Sequence, residues 1–273
     1  MKSRTGNYAK NVMRQVVDRF GYSISRNLPK ETIGTTTGSR RAGLVADWDV
    51  PETFIVAFDG LEGICSSTWQ GYFSIWQSVK YIQENEIPGA IVECGVELGA
   101  GLVTIGNALE NFDSINRSVL GFDTFSGMSK PTKNDFMSDR MPAEKVMSQY
   151  PMRNGVRDFC YGSLEEVDAA IRLRTDYPRD NFHLVQGLVE ETIPSFAPPQ
   201  IALLRLDTDW YESTKHELEH LYPLLSPGGV LMIDDYGIWQ GARKATDEYF
   251  EDRKQPLLTI DSPDRSRIGV KPQ

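Results

Sequence analysis

Four short apolar runs, each stopping on or beside an acid, constrain this 273-residue chain more than any other feature. They are Ala90 to Cys94 with Glu93 near its end, Val119 to Phe122 closing on Asp123, Ile201 to Leu206 closing on Asp207, and Val230 to Ile233 closing on Asp234 and Asp235. A further run, Phe182 to Val185, leads into Gln186 and Gly187. Helix-like stretches alternate with these runs: Leu98 to Leu109, Ser163 to Leu173, the segment after Asp209 up to Leu225, and about Ala242 to Asp252. Continuous apolar strands alternating with helices specify a parallel sheet covered on both faces. Pro227-Gly228-Gly229 reads as a turn. The tail, Leu257 to Ile260, a Ser-Pro-Asp turn and Arg267 to Val270, predicts a terminal antiparallel hairpin. The expected fold class is therefore α/β, a doubly wound, mostly parallel sheet ending in that hairpin.

The chain outside this alternation is less regular. Val12, Val16, Val17 and Phe20 fit one short helix, and residues 34–43 (GTTTGSRRAG) a loop. A stronger helix starts at Ser66/Ser67 as cap candidates and stops before Pro88, with Trp69, Tyr72, Phe73, Trp76 and Val79 on one face. That face suits either packing on the core or a lid walling a ligand pocket. The expected division is a helical lid region over 1–86 and the sheet domain over 87–273. Residues 126–161, rich in Met and interrupted by Pro131, Pro142 and Pro151, read as a substrate loop or an insertion.

Composition mainly excludes. With 29 Lys+Arg against 38 Asp+Glu the net charge is −9, which disfavours a nucleic-acid partner. The longest apolar-leaning stretch without charge, Leu98 to Leu109, is too short to span a membrane. The basic start, Met1 to Arg4, leads into no apolar region, and Cys65, Cys94 and Cys160 form no framework. A reducing, cytoplasmic setting is expected.

In doubly wound sheets, ligands bind outside the carboxyl ends of the strands, where these acids sit. The loop Glu93-Cys94-Gly95-Val96-Glu97-Leu98-Gly99-Ala100-Gly101 puts glycines where a strand turns into a helix, allowing close backbone approach to a ligand. It is not the dinucleotide fingerprint. With Asp123 placed to accept from ribose hydroxyls, it points to an adenosine-containing cofactor. The stronger constellation is Asp207-Thr208-Asp209 with Asp234-Asp235. If their strands are neighbours about 4.8 Å apart, Asp207, Asp234 and Asp235 converge. Unpaired like charges so close raise one another's pKa, and a hard divalent cation such as Mg²⁺ removes the conflict. Helix capping by Asp209 or Asp235 explains one acid in each group but not both groups together.

Two other motifs compete. His216-Glu217-Leu218-Glu219-His220 matches the H-E-x-x-H zinc-protease pattern, but Leu218, Leu221, Tyr222 and Leu225 define the buried face of that helix. Both histidines then fall on the opposite side, toward solvent. Asp207-x-Asp209 also matches the metal motif of a glycosyltransferase using nucleotide sugars.

Taken together, IPGAIVECGVELGAG, VLGFDTFSGM, IALLRLDTDWYESTKHELEHLYPLLSPGGVLMIDDYG and ARKATDEYF resemble the TylF-type macrocin O-methyltransferases over about Ile87 to Phe250. The resemblance implies a class I, Rossmann-like methyltransferase fold using S-adenosylmethionine. It implies Mg²⁺ on Asp207, Asp234 and Asp235, and Asp209 as general base. It implies cofactor contacts at Glu93, Cys94, Gly95, Asp123, Gln186 and Gly187. The expected partner is a small hydroxylated acceptor, a sugar or a glycosylated natural product, with a catechol or phenol as the alternative. A homo-oligomer, dimer or larger, is expected by resemblance. Glu97-Leu98 depart from the usual loop, where an aromatic and a basic residue are frequent.

Overall fold

The computed structural model describes residues 50–114, 116–253 and 256–273. The sequence-predicted helix at Val12 to Phe20 and the loop at 34–43 lie outside the described residues.

One seven-stranded sheet organises the chain, in the order β5-β2-β1-β6-β7-β9-β8. Its parallel part is β5 (Phe182–Gln186), β2 (Val119–Asp123), β1 (Ala90–Cys94), β6 (Ile201–Leu206) and β7 (Leu225–Ile233). All residues of β1 and β6 are buried, as expected for central parallel strands. β9 (Arg267–Val270) runs antiparallel to β7, and β8 (Leu258–Thr259) antiparallel to β9. The predicted terminal hairpin is therefore present, joined to the main sheet. Pro227-Gly228-Gly229 does not precede the last parallel strand as a turn. It lies within β7, where the register against β6 shifts and Gly228 takes a positive φ of 78°.

Helices cover both faces. On one side pack α1 (Glu52–Asp59), α2 (Trp69–Glu84), α3 (Ala100–Asn111) and α5 (Leu164–Arg174); on the other, α6 (Val189–Thr192), α7 (Tyr211–Leu221) and α8 (Gln240–Phe250). α1 falls where the sequence reads as irregular. Its five apolar residues run consecutively from Phe54 to Phe58 without helical spacing, and Phe54 and Phe58, one turn apart, are the buried ones. α2 takes the core reading: Trp69, Tyr72, Ile75, Trp76, Val79 and Ile82 are buried, and Trp76 packs edge-on to both Phe54 and Phe112. Its N-cap is Thr68 rather than Ser66 or Ser67, whose backbone N–H groups donate to the Tyr72 hydroxyl. Residues of 50–86 share one apolar core with the sheet domain.

Residues 126–161 are tied down. They carry α4 (Ala143–Met147) and a small hairpin of β3 (Met152–Arg153) and β4 (Val156–Arg157). Asp135, buried, accepts from the Tyr211 N–H at the start of α7, and the Trp210 indole donates to the Ser129 carbonyl. Phe159, Trp210 and Trp239 form the centre of a separate apolar cluster that Met128, Met137 and Met147 join.

Candidate active site

The carboxyl ends of β1, β6 and β7 are level because their registers pair Cys94 with Leu206 and Leu206 with Ile233. Just past those ends the chain is laced together: Asp207 N–H donates to the Cys94 carbonyl at 2.8 Å, and Asp234 N–H to the Leu206 carbonyl at 2.9 Å. This brings Asp207, Asp234 and Asp235 together, each offering a carboxylate oxygen within 4.8 Å of the others. Asp209 joins them from a left-handed backbone conformation, φ 67°. A cavity of about 550 Å³ opens on all four acids.

The electrostatics are unfavourable as they stand. Burial pushes the carboxyls of Asp207 and Asp235 well above the usual range, and the acids around them add to the shift. Burial also raises Asp209 to about 7, against a lowering by its hydrogen bond with Asp235. Asp235 Oδ2 is buried without a hydrogen-bond partner. One side chain that sequence reasoning passed over compensates in part. Arg205, buried near the end of β6, reaches Glu93 Oε1 at 2.6 Å, Asp207 Oδ2 at 2.7 Å and Asp234 Oδ1 at 3.2 Å. Its signal was a lone charge inside the apolar run IALLRL. One guanidinium set among Glu93, Asp207, Asp234, Asp235 and Asp209 leaves the negative charge in excess. An orphaned buried oxygen, an all-carboxylate donor set and uncompensated charge together fit a hard divalent cation.

The predicted cofactor residues divide. Gly95, Asp123 and Gly187 line the cavity. A Cβ on Gly95 (φ 82°) would run into the Asp207 carbonyl, so glycine is what lets this loop close on the end of β6. Asp123 accepts from Val96 N–H at 2.7 Å and Glu97 N–H at 3.1 Å through Oδ2, and from Phe125 N–H at 2.7 Å through Oδ1. Much of its acceptor capacity therefore shapes the loop. Glu93, Cys94 and Gln186 are not among the residues lining the cavity. Glu93 lies beneath the loop on Arg205, in space that Gly101 leaves by lacking a Cβ. Burial raises Glu93 to about 7 despite that pairing. The Cys94 thiol is fully buried beside Glu217, and Gln186 Nε2 donates to the Thr124 carbonyl at 3.3 Å.

The rest of the wall comes from elements the sequence left open. Met128, Met137, Met141, Tyr150 and Phe159 of the 126–161 segment line it with Trp239. Ser66 and Ser67 contribute from ahead of α2, and Asp264, which accepts from Ser67 Oγ at 3.1 Å, from the terminal hairpin. The aromatic face of α2 does not reach the cavity.

The H-E-x-x-H match holds no metal cluster among the described residues. His216 Nε2 lies 3.0 Å from the Ile193 carbonyl, and His220 Nδ1 lies 2.8 Å from the His216 carbonyl. The rings are half-buried rather than fully solvent-facing, with centroids 4.1 Å apart and planes tilted by 31°. Between them Glu217 points inward and is fully buried.

A parallel sheet in this order, with an antiparallel hairpin at one edge and a ligand cavity at the strand ends, defines the methyltransferase fold. Among solved structures it superposes on the O-methyltransferase NovP with a TM-score of 0.65 at 29% identity, over 76% of this chain and 81% of that one. The calicheamicin methyltransferase CalS11 matches in fold with a TM-score of 0.58 at 20% identity, over 90% and 97%. Residues 73–264 match the macrocin-O-methyltransferase (TylF) family, and the chain belongs to that family. It is an O-methyltransferase, which removes the glycosyltransferase reading of Asp207-x-Asp209. It is 32% identical to the demethyldecarbamoylnovobiocin O-methyltransferase of Streptomyces niveus over 190 residues, 69% of each chain. It is 33% identical to the mycinamicin III 3''-O-methyltransferase of Micromonospora griseorubida over 171 residues, 60% of this chain and 61% of the relative. No helix among the described residues is long and apolar enough to cross a membrane.

Proposed function

We propose that the protein methylates a sugar hydroxyl of a glycosylated natural product, using S-adenosylmethionine and Mg²⁺. The observation that carries this reading is the convergence of Asp207, Asp234 and Asp235 beside Asp209 on one cavity, in a chain of this family. The acceptor class is drawn from the relatives, one of which, from Streptomyces olivaceus, is named for methylating a rhamnosyl-tetracenomycin.

S-adenosylmethionine supplies an electrophilic sulfonium methyl. Gly95 and Gly187 let the backbone approach it closely, and Asp123 offers its remaining acceptor capacity to a ribose hydroxyl. Glu93 and Cys94 support the same loop from behind, and Gln186 holds the Thr124 carbonyl next to Asp123. Asp207, Asp234 and Asp235 hold the cation, which supplies Lewis-acid polarisation of an acceptor hydroxyl. Asp209 would take the proton from that hydroxyl, the new C–O bond forming as the methyl's C–S bond breaks and S-adenosylhomocysteine leaves. The apolar wall of Met128, Met137, Phe159 and Trp239 orients the acceptor and excludes water from the line of attack. The cytoplasm and a homo-oligomeric state remain part of this reading, and sedimentation reads the subunit number.

The test is methyl transfer to a panel of glycosides and simple phenols by the wild type and Asp209→Asn. We expect turnover with glycosides, lowered about 10²–10⁴-fold in the variant, with S-adenosylhomocysteine affinity retained. Wild-type turnover in Asp209→Asn removes the base assignment, and methylation confined to phenols removes the acceptor class.

A further inference from the structure

The H-E-x-x-H match is wrong about its histidines, yet its glutamate is aimed at the active site. Glu217 is 0% exposed, two turns into α7, on the flank of the face defined by Leu218 and Leu221. Its Oε2 accepts from Thr208 Oγ1 at 3.1 Å, the Cys94 thiol bonds to the same carboxyl, and Oε1 has no hydrogen-bond partner. Thr208 sits between the first metal-site acid and Asp209. Its carbonyl accepts from Trp210 N–H at 2.7 Å, closing a tight turn. Within that turn Asp209 takes a φ of 67°, a conformation a non-glycine residue keeps only when its neighbours are fixed. Asp207 ahead of the turn is fixed by the Cys94 carbonyl, and Trp210 after it by the start of α7. The tether on Thr208 itself is Glu217.

We propose that Glu217 is a positioning residue for methyl transfer. Through Thr208 it holds the 207–210 turn in the shape that turns Asp209 into the cavity. This rests on Asp209 being the base, so the test reads the turn and the reaction separately. Among the described residues the hydrogen-bond partners of this buried acid are Thr208 Oγ1 and the Cys94 thiol, and an apolar residue would fill the same space without desolvating a carboxyl.

The experiment compares Thr208→Val, Glu217→Leu, Glu217→Gln and the Thr208→Val/Glu217→Leu double variant. It measures kcat, S-adenosylhomocysteine affinity by calorimetry, and hydrogen exchange of the Trp210 N–H. Thr208→Val and Glu217→Leu are each expected to lower kcat about tenfold, since small displacements of a reacting group are costly. Both should speed Trp210 exchange and leave S-adenosylhomocysteine affinity within about twofold, a separation that general destabilisation would not give. Glu217→Gln, whose amide oxygen still accepts from Thr208, should restore both readouts. The double variant should be no slower than the slower single one, because the pair acts as a unit. Wild-type kcat in Thr208→Val, unchanged Trp210 exchange, a Glu217→Gln as slow as Glu217→Leu, or losses that multiply would each overturn the proposal. If Glu217→Leu does not fold, Thr208→Val carries the test alone. Faster Trp210 exchange alongside full activity in Asp209→Asn would leave the tether standing and remove the base.

Discussion

Two groups of acids in this molecule behave in opposite ways. At the strand ends, Glu93, Asp209 and Asp235 are buried with Asp207 half-buried beside them, and loss of solvent drives all four carboxyls upward. In the N-terminal half of α5, Glu166 and Asp168 are held below their usual range although partial burial opposes it. Glu166 closes a capping box with Ser163 and pairs with Arg153 at 2.6 Å, and Asp168 is shared by Arg172 at 2.7 Å and Arg179 at 2.6 Å. The second group has a donor for each charge and adds to stability. The first is short of positive charge, so it weakens the fold until something cationic arrives. The first pattern is the one the proposed cation site requires.

Four changes probe the contrast. Gly101→Ala should act most strongly, because its Cβ would enter the space of the Glu93 carboxylate and disturb the pairing with Arg205. Overpacking of this kind costs about 2 kcal/mol, read as a lower denaturant midpoint with an unchanged slope. In the other group, Ser163→Ala removes the helix cap and should cost about 1 kcal/mol by the same measurement. A smaller effect of opposite sign is expected for Asp235→Asn. In EDTA it should melt above the wild type, because a crowded buried charge is gone, while losing the shift that Mg²⁺ gives the wild type. If it melts below the wild type, the acids are better satisfied than their geometry indicates.

The fourth probe is the pH profile of the metal-free protein. Glu93 is raised to about 7 when folded, so its contribution is fully present below its unfolded pKa, about 4.3, and fades as pH rises toward 7. Glu166 and Asp168 have lowered folded values. Their contribution is present above the unfolded values and is lost as pH falls through the folded ones. Melting temperature in EDTA should therefore decline gently between about pH 5 and 7, and collapse in strong acid. A profile rising steadily to pH 7 would contradict the account of Glu93.

Much of the fold was legible because strands buried on both faces are written as unbroken apolar runs. Ala90–Cys94, Ile201–Leu206 and Arg267–Val270 match their predicted bounds. The acids could be placed because a parallel sheet puts the residue after each strand at the same rim. Side-chain direction was harder to read. In β1 successive residues face opposite ways, so Glu93 and Cys94 both fall away from the cavity that Gly95 enters. Arg205 was visible as a charge but not as a partner, since its three acids come from β1 and from the ends of β6 and β7. Glu217 was missed because a buried face drawn from Leu218, Leu221, Tyr222 and Leu225 is too narrow for a helix packed on two sides. The cavity wall from residues 126–161 was the least legible part. Its position depends on Asp135 and Trp210 anchoring an irregular segment, and no periodicity announces that.

The central claim is that the excess negative charge at the strand ends exists to hold a divalent cation used in methyl transfer. The most direct measurement is the rate of glycoside methylation after dialysis against EDTA and again after adding Mg²⁺, with Asp234→Asn as the control. The account predicts loss of turnover in EDTA, recovery with Mg²⁺ in the wild type, and no recovery in the variant. Full turnover by the EDTA-treated wild type would contradict it.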